Sequence, residues 1–246
     1  MEGSDQSPTG LRDSAIRSSL WVSRTSPDNE GTANALRMAG YNAVVVPVLN
    51  VQGLPAKALV DQPGAIVFTS MNGVRHHFLS QESLGIPVFA VGDRTAQSAV
   101  EAGFTQVVSA AGNVSDLERL IVESLPPGSR LLHLSARRAA GDLVGNLHRR
   151  GYLAMRIAVY ETREIAIAQI LASLPALNRI GGILIHSPRA GCVVRRCLDQ
   201  SANPFDGVVY CISEAAAAPF VEMERINVRI AARPDEASML ALIATT

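Results

Sequence analysis

The 246-residue sequence predicts an α/β fold with two flavodoxin-like, parallel-sheet lobes that are joined by a two-stranded antiparallel linker. Short apolar runs alternate with helix-forming stretches, a pattern typical of parallel sheets with helices on both faces. Some runs end in Ser or Gly immediately before a helix, and they form two matched pairs, 66–70 with 88–92 and 183–187 with 208–213. This pairing indicates a duplicated β-α-β unit.

The first β-α-β unit begins with a strand at 19–23. We predict that Ser26 and Pro27 are the N-cap and first residue of the next helix, because Ser caps helix N-termini and Pro is tolerated in the first turn. The helix then runs to Ala39, and Gly40 ends it at C′.

The remaining strands follow the same alternation and divide evenly between the lobes. Strands of one lobe are expected near 19–23, 43–48, 182–186, 208–212 and 227–231. Strands of the other are expected near 65–69, 87–91, 106–109, 130–134 and 154–158. Within the second lobe, the Ser-Asp-Leu-Glu run at 115–118 predicts a capping box at the start of a helix.

This division of strands requires the chain to cross between the lobes twice. Domain 1 is discontinuous, 19–48 plus 164–246, and domain 2 is inserted at 53–158. The linker strands are 49–52 and 159–163. Two extended segments side by side would form a hinge that lets the lobes open and close around a ligand.

Charge and composition exclude several classes of partner. Lys plus Arg and Asp plus Glu both number 22, so no net charge attracts nucleic acid or an anionic membrane. Aromatic residues make up only 4%, which disfavours base stacking. Residues 1–18 are polar and Ser-rich, which predicts a disordered extension and not a secretory signal. We therefore expect a cytoplasmic protein that binds neither nucleic acid nor membrane.

No metal or cofactor is expected. Cys192, Cys197 and Cys211 lack Cys-x-x-Cys spacing and adjoin apolar runs, which predicts buried reduced thiols and not zinc ligands. The chain has no glycine cluster with dinucleotide or P-loop spacing and no nucleophile elbow. His76 and His77 are expected on a solvated helix face.

The main candidate site residues are hydroxyls at the junctions between strands and helices. Ser70, Ser187 and Ser213 each follow a strand, and one interpretation is that they are ordinary N-caps contributing about 1 kcal/mol each. The other is ligand binding, because helix N-termini attract anions and α/β sheets bind ligands at their carboxyl edges. As a set, these residues favour a polyanionic small molecule held between the lobes.

Other candidates have two open interpretations each. Gly92 is either a tight-turn glycine or a point of close ligand approach. Arg24 forms either a structural salt bridge or an anion clamp. Tyr160, in the second crossing, is either a half-buried linker aromatic or a hydrogen-bond donor to a ligand. His133, near a strand end, is either a satisfied core residue or the partner of a carboxylate.

Six motifs occur in series along the chain: WVSR at 21–24, VFTSMNGV at 67–74, AVGDRTA at 90–96, VYET at 159–162, HSPRA at 186–190 and CISEAAA at 211–217. In order and spacing they resemble the uroporphyrinogen-III synthase family from Trp21 to the C-terminus. The chain departs from many relatives at two loops. Ser135-Ala136 replaces Arg-Gly, and Ser213 and Ala216 replace Gly and Thr.

The resemblance implies a cofactor-free lyase that cyclises linear hydroxymethylbilane to uroporphyrinogen III, with loss of water and inversion of ring D, in haem biosynthesis. It implies that Tyr160 assists loss of the hydroxyl. It also implies that substrate carboxylates are held by Thr69, Ser70, Asn72, Thr95, Ser187 and Ser213, to which we add Arg24 and Gly92. A monomer with transient contact to hydroxymethylbilane synthase is expected. The alternative is a two-lobed module that binds tetrapyrroles or polycarboxylates without turnover.

Overall fold

A computed structural model of the protein describes residues 19–55, 62–138, 141–223 and 225–245. The predicted extension at 1–18 lies outside the described residues. The chain divides into two compact units. Unit 1 is formed by the residues up to Asn50 and from Arg163 onward, and unit 2 is formed by Val51–Thr162.

Strands and helices alternate in both units. The described strands are β1 (Ser19–Val22), β2 (Asn42–Val45), β3 (Leu49–Gly53), β4 (Ala65–Phe68), β5 (Val88–Ala90), β6 (Val107–Ser109), β7 (Arg130–Ala136), β8 (Leu153–Glu164), β9 (Gly182–Ile185), β10 (Val208–Cys211) and β11 (Asn227–Ile230). The described α-helices are α1 (Asp28–Met38), α2 (Met71–Arg75), α3 (Asp93–Glu101), α4 (Val114–Ser124), α5 (Leu143–Arg149), α6 (Ile167–Ser173), α7 (Pro188–Gln200), α8 (Glu214–Ala217) and α9 (Glu236–Ala244).

The sheet of unit 1 has the order β2-β1-β9-β10-β11, and its neighbouring strands are parallel. Numbered within the unit, this order is 2-1-3-4-5, the flavodoxin-like arrangement predicted from the sequence. The order reverses between β1 and β9. Loops leaving the two strands at such a switch point diverge at the carboxyl edge, where α/β proteins bind ligands.

The sheet of unit 2 has the order β3-β8-β7-β4-β5-β6, and β4 to β8 pair in parallel. From the β6 edge, the parallel strands lie in the order β6-β5-β4-β7-β8. Numbered within the unit, this order is 3-2-1-4-5, so unit 2 departs from the predicted flavodoxin-like order. Strand–helix alternation is the same for both orders, so it does not reveal that the chain reverses after the third strand of this unit. Strand β3 lies beside β8, and an antiparallel direction for this pair stays a prediction.

Both faces of the unit 2 sheet are buried, which explains the continuous apolar runs. On one face, Ile66 and Phe68 of β4 pack with Leu132 and Leu134 of β7 in what we call the Phe68 core. On the opposite face, a second group, which we call the Val67 core, packs against α4 and α5; it contains Ala65, Val67, Leu117, Ile121, Leu131, Leu147 and Ala154. Successive residues of β4 thus enter opposite cores, as the pleat of a strand requires.

The first helix starts one residue later than predicted. Helix α1 begins at Asp28 with Pro27 as its N-cap residue, and no side chain caps it, so Ser26 does not act as the N-cap. Its acidic first turn, which contains Asp28 and Glu30, complements the helix dipole in place of a hydroxyl cap. The C-terminal prediction is correct, since Gly40 follows the helix with φ +87°.

The capping box of α4 lies two residues before the predicted one at 115–118. The Asn113 side chain accepts hydrogen bonds from backbone N–H groups in the first turn, and the Asp116 carboxylate accepts the Asn113 N–H. Asn-Val-Ser-Asp has the required spacing too. Gly112 permits this earlier start, because a Cβ there would lie 2.2 Å from Asp116 Oδ2.

Cys197 and Cys211 are buried, and burial raises the pKa of their thiols to about 11 and about 12. Cys192 is exposed, contrary to the expectation for all three, because helical periodicity turns it away from the buried positions Val193 and Val194.

None of the described helices has the length and apolar character needed to cross a bilayer. Among the described residues, no cluster of His, Cys, Asp and Glu could hold a metal ion.

Candidate functional site

The switch point of unit 2 places two adjacent hydroxyls on opposite faces of the sheet. Thr69 and Ser70 follow β4, which lies beside β7. Ser70 Oγ lies 2.8 Å from Tyr160 OH, and Thr69 Oγ1 lies 3.0 Å from His133 Nε2. Because side chains alternate along extended backbone, one loop supplies a polar contact to each face.

Tyr160 reaches Ser70 because of a β-bulge in β8. Ser135 of β7 is opposite Ala158, whereas Ala136 is opposite Tyr160, so Val159 is an extra residue. Strict alternation would send Val159 and Tyr160 to opposite faces, yet both pack in the Phe68 core. The bulge therefore turns the phenol toward the Ser70 face. Tyr160 is only 8% exposed.

The two histidines expected on a solvated face are instead packed against aromatic rings. His76 stacks on Tyr160 with ring centroids 6.1 Å apart, and His77 meets Phe104 edge-on at 5.2 Å. Burial lowers the pKa of His77. The prediction failed because α2 ends at Arg75, so these residues follow the helix and fold back onto the core.

Ser70 is also a helix N-cap, as its conservative interpretation predicts. Its Oγ accepts the Gly73 N–H at 3.2 Å while it contacts the phenol of Tyr160. Helix α2 lies very close to β7 here, since a Cβ on Gly73 would stand 2.6 Å from the Leu134 carbonyl oxygen. Asn72, in the first turn of α2, is partly buried, and its amide oxygen lies 3.4 Å from Arg75 Nη1. The Ser70–Tyr160 geometry thus depends on a glycine three residues away.

The second junction of unit 2 contains Gly92 and Thr95. Gly92 precedes α3 with φ −158°, an extended conformation open to any residue, so the tight-turn interpretation is not supported. A Cβ on Gly92 would meet only the Gly112 carbonyl oxygen, at 3.8 Å. Thr95 lies in the first turn of α3 and is buried.

Unit 1 repeats the hydroxyl cap at two strand ends. Ser187 follows β9 and accepts the Ala190 N–H at 3.2 Å. Ser213 follows β10 and accepts the Ala216 N–H at 3.4 Å. The N-cap role of both is therefore present, and any ligand contact would add to it.

Arg24, two residues after the end of β1, lies in a polar network with Glu236 that the sequence did not reveal. Its Nη1 donates to Glu236 Oε2 at 2.7 Å and to Thr32 Oγ1 at 3.1 Å, and His186 Nε2 lies 3.3 Å from the same carboxylate oxygen. Burial opposes ionisation of Glu236, but His186, Thr32 and Arg24 outweigh it and lower its pKa to about 2. Arg24 thus forms the structural ion pair that the sequence left open.

The structure brings Thr69, Ser70 and Tyr160 together with His133 in unit 2, and it brings Arg24 close to His186 in unit 1. Gly92 with Thr95, Ser187 and Ser213 stand at other strand ends. The sequence marked His133 as a candidate but did not show that Thr69 is its partner, because that contact depends on which strands are neighbours. Glu236 gave no signal in the sequence, because it contacts Arg24 from the distant helix α9.

Comparison with known proteins identifies the family. A family model described as uroporphyrinogen-III synthase HemD matches residues 30–241. A solved uroporphyrinogen-III synthetase from Helicobacter pylori is 17% identical with a TM-score of 0.63, and the match covers 92% of this chain and 98% of that one. A mutant uroporphyrinogen III synthase from the extremely thermophilic bacterium Thermus thermophilus is 17% identical with a TM-score of 0.54, covering 91% and 96%.

A comparison with curated proteins found no match. At this level of identity the two structures show a common fold, whereas the family model spans most of the chain. The chain therefore belongs to the uroporphyrinogen-III synthase family, and its function is uroporphyrinogen-III synthesis.

Proposed function

We propose that the protein cyclises linear hydroxymethylbilane to uroporphyrinogen III and that Tyr160 is the catalytic residue. The observation that carries this assignment is the 2.8 Å contact between Tyr160 OH and Ser70 Oγ at the switch point of unit 2. A phenol held by a hydrogen bond at a ligand-binding edge can donate a proton to a leaving group.

The proposed reaction begins with loss of the substrate hydroxyl. The C–O bond breaks, the oxygen leaves with the bonding electrons and takes up a proton to become water, and the ring nitrogen supplies the electron pair that forms an azafulvene. Ring D then attacks through its substituted carbon and forms a spiro intermediate. The bond from that carbon to the methylene of ring C breaks and leaves ring C as an azafulvene. The free α-carbon of ring D attacks this azafulvene, and loss of a proton restores the pyrrole. Pyrroles are electron-rich, so the enzyme mainly positions the chain and suppresses the unrotated closure.

Ser70 can set the direction of the Tyr160 proton. Its oxygen already accepts the Gly73 N–H, and its own proton can be donated to the phenol oxygen. The Tyr160 O–H then donates to the departing hydroxyl. General-acid assistance of this kind contributes about 10²-fold. No covalent intermediate with the protein is required.

The substrate bears an acetate and a propionate on each pyrrole ring. In this proposal its carboxylates contact the hydroxyls and free N–H groups at the carboxyl edges of the sheets. The contributing residues are Arg24, Thr69, Ser70, Asn72, Gly92, Thr95, Ser187 and Ser213. Arg24 would have to exchange its contact with Glu236 for a substrate carboxylate.

A binding module without turnover is not favoured, because the family model describes a synthase. Classification as a lyase, a monomeric state, a cytoplasmic location and transient contact with hydroxymethylbilane synthase stay predictions of this proposal.

Assay of the purified protein with freshly generated hydroxymethylbilane tests the proposal. We expect mainly the III isomer without added metal or nucleotide, measured by chromatographic separation of the I and III isomers. A product mixture equal to that of the spontaneous reaction, mostly isomer I, would contradict it and restore the binding-module alternative.

A further inference from the structure

Unit 2 contains a pocket on the Val67 face of its sheet, the face opposite Tyr160. Its volume is about 470 Å³, within the range of ligand-binding pockets. Its lining includes the start of α5, Thr69, His133, Arg137, Arg138 and Arg156. Three cations around one pocket form a local positive field in a chain without net charge.

Two polar residues, the buried His133 and the exposed Arg156, lie next to each other in the part of the sheet that lines the pocket. His133 of β7 and Arg156 of β8 are register partners on adjacent parallel strands. Strands covered on both faces normally carry apolar side chains at a buried position such as that of His133. A buried polar residue that interrupts this pattern without an evident structural gain is expected at functional sites.

His133 lacks one of its two hydrogen-bond partners. The residue is 4% exposed, Nε2 contacts Thr69 Oγ1, and Nδ1 is buried with no partner among the described residues. Burial, followed by the nearby charge of Arg156, lowers its pKa to about 4, so the ring is neutral at pH 7. In the Nε2–H tautomer the ring donates to Thr69 Oγ1, and the Thr69 hydroxyl proton is left for a ligand. In the Nδ1–H tautomer, Nδ1–H is a buried donor without a partner among the described residues.

The arginines that line the pocket still have N–H groups or charge available for a ligand. The hydrogen bonds of Arg156, to Ser135 Oγ and the carbonyl oxygens of Ala136 and Arg137, all use Nη1, so other guanidinium N–H groups are available. Arg137 lies 3.3 Å from Glu161, and Arg138 has no acidic partner among the residues described. The pocket's own carboxylate, Asp142, is occupied as an N-cap that accepts the Gly145 N–H at 3.0 Å.

We propose that the pocket formed by Thr69, His133, Arg138 and Arg156 is a carboxylate-binding subsite that takes one acetate or propionate arm of the tetrapyrrole. The proposal rests on the proposed function for the identity of the ligand. Thr69 is adjacent in sequence to Ser70, which contacts Tyr160, so an arm bound beside Thr69 would lie close to the Ser70–Tyr160 contact. The pocket would thus help to orient the substrate from the other face of the same loop.

Binding of uroporphyrin III, a stable polycarboxylate, by fluorescence titration tests the subsite. Arg156→Met should bind the probe about tenfold more weakly, because a charge-assisted hydrogen bond is lost. Arg138→Met, which removes a cation without a described structural contact, should weaken binding about threefold at low salt. Arg149→Met removes one exposed cation from α5 outside the pocket and should bind like the wild type. Thermal melting confirms that each variant is folded.

The same variants separate this proposal from the proposed function. If the wild type forms the III isomer but Arg156→Met and Arg138→Met both bind uroporphyrin III with wild-type affinity, the subsite is overturned and the synthase stands. If Arg156→Met does not fold, Arg138→Met decides the result alone. If the wild type forms no III isomer yet its binding depends on Arg156 and Arg138, the synthase fails and the subsite stands. Absence of probe binding by the wild type overturns the subsite.

Discussion

The hydroxyls of Ser70 and Tyr160 lie 2.8 Å apart although 90 positions separate them in the chain. Two local features create this contact: a helix cap that fixes Ser70, and a β-bulge at Val159 that turns Tyr160 to the same face. The arrangement connects the end of the central strand β4 to β8 through one hydrogen bond. Its removal should affect chemistry more than stability.

Replacing Tyr160 by Phe should lower turnover by about ten- to a hundredfold, because a proton donor is lost. Unfolding free energy should fall by about 1 kcal/mol for the lost contact with Ser70. The measurements are the rate of III-isomer formation at saturating substrate and a denaturant melt. Tyr152→Phe is the matched control, since it removes the bond from Tyr152 OH to the Leu125 carbonyl oxygen, 2.8 Å long, elsewhere in unit 2. Equal turnover in the two variants would return Tyr160 to the role of a structural aromatic.

Ser187→Ala should mainly raise the Michaelis constant, through loss of a carboxylate contact, with about 1 kcal/mol of capping stability lost as well. Asp235→Ala removes a comparable cap, the 2.7 Å bond that Asp235 Oδ1 accepts from the Ser238 N–H of α9. It should lose similar stability without the kinetic change. Steady-state kinetics measure the Michaelis constant of both variants, and thermal melting measures their stability. The same Michaelis constant in both would leave Ser187 as an N-cap alone.

The buried His133 should make the fold acid-sensitive in a defined window. The folded-state pKa of about 4 lies below the ordinary histidine value of 6.5, so the unfolded chain binds more protons between these values. Stability should therefore be fully present above pH 6.5 and decline as the pH falls toward 4, by up to about 3 kcal/mol. His133→Gln cannot be protonated there and should show a flatter profile. Denaturant melts of both proteins at pH 8, 6 and 5 test this, and parallel profiles would contradict it.

Gly73→Ala should destabilise the protein by about 1–3 kcal/mol, because the new Cβ would stand 2.6 Å from the Leu134 carbonyl oxygen. Gly31→Ala makes the same change inside α1, where a Cβ meets nothing within 4 Å. It should stabilise by up to about 1 kcal/mol through helix propensity. Melting temperatures should shift in opposite directions. A stabilising Gly73→Ala would show that α2 can move away from β7 at no cost.

Two fragments of unit 2 test whether the C-terminal part of β8 is needed for the stability of this unit. A fragment spanning Val51–Thr162 should melt cooperatively, since its two cores lie within it. A fragment limited to 53–158 lacks the buried Val159 and Tyr160 and also the partly buried Val51. It should be less stable by about 3 kcal/mol or more, the cost of losing two buried side chains and part of a third. Circular dichroism melts compare them. Equal stability would mean that the bulge contributes only to Tyr160 orientation.

Local sequence determined the strands and helices of this protein and the caps formed by several of its candidate site residues. Apolar runs next to helix caps identified the strands, and the hydroxyls at their ends, Ser70, Ser187 and Ser213, are the N-caps expected from their position. These features depend on residues within one turn of each other. Where two local solutions competed, as with the capping boxes at Asn113 and Ser115, the pattern alone did not distinguish them.

Tertiary structure decided which of those residues meet. Strand order is set by packing of whole β-α units, which is why the 3-2-1-4-5 order of unit 2 and the pairing of His133 with Arg156 are invisible in the chain pattern. The Arg24–Glu236 pair joins positions 212 residues apart. A single inserted residue in β8 moves Tyr160 to the other face of the sheet. Side-chain direction in a strand depends on register, and register is fixed only when neighbouring strands pair.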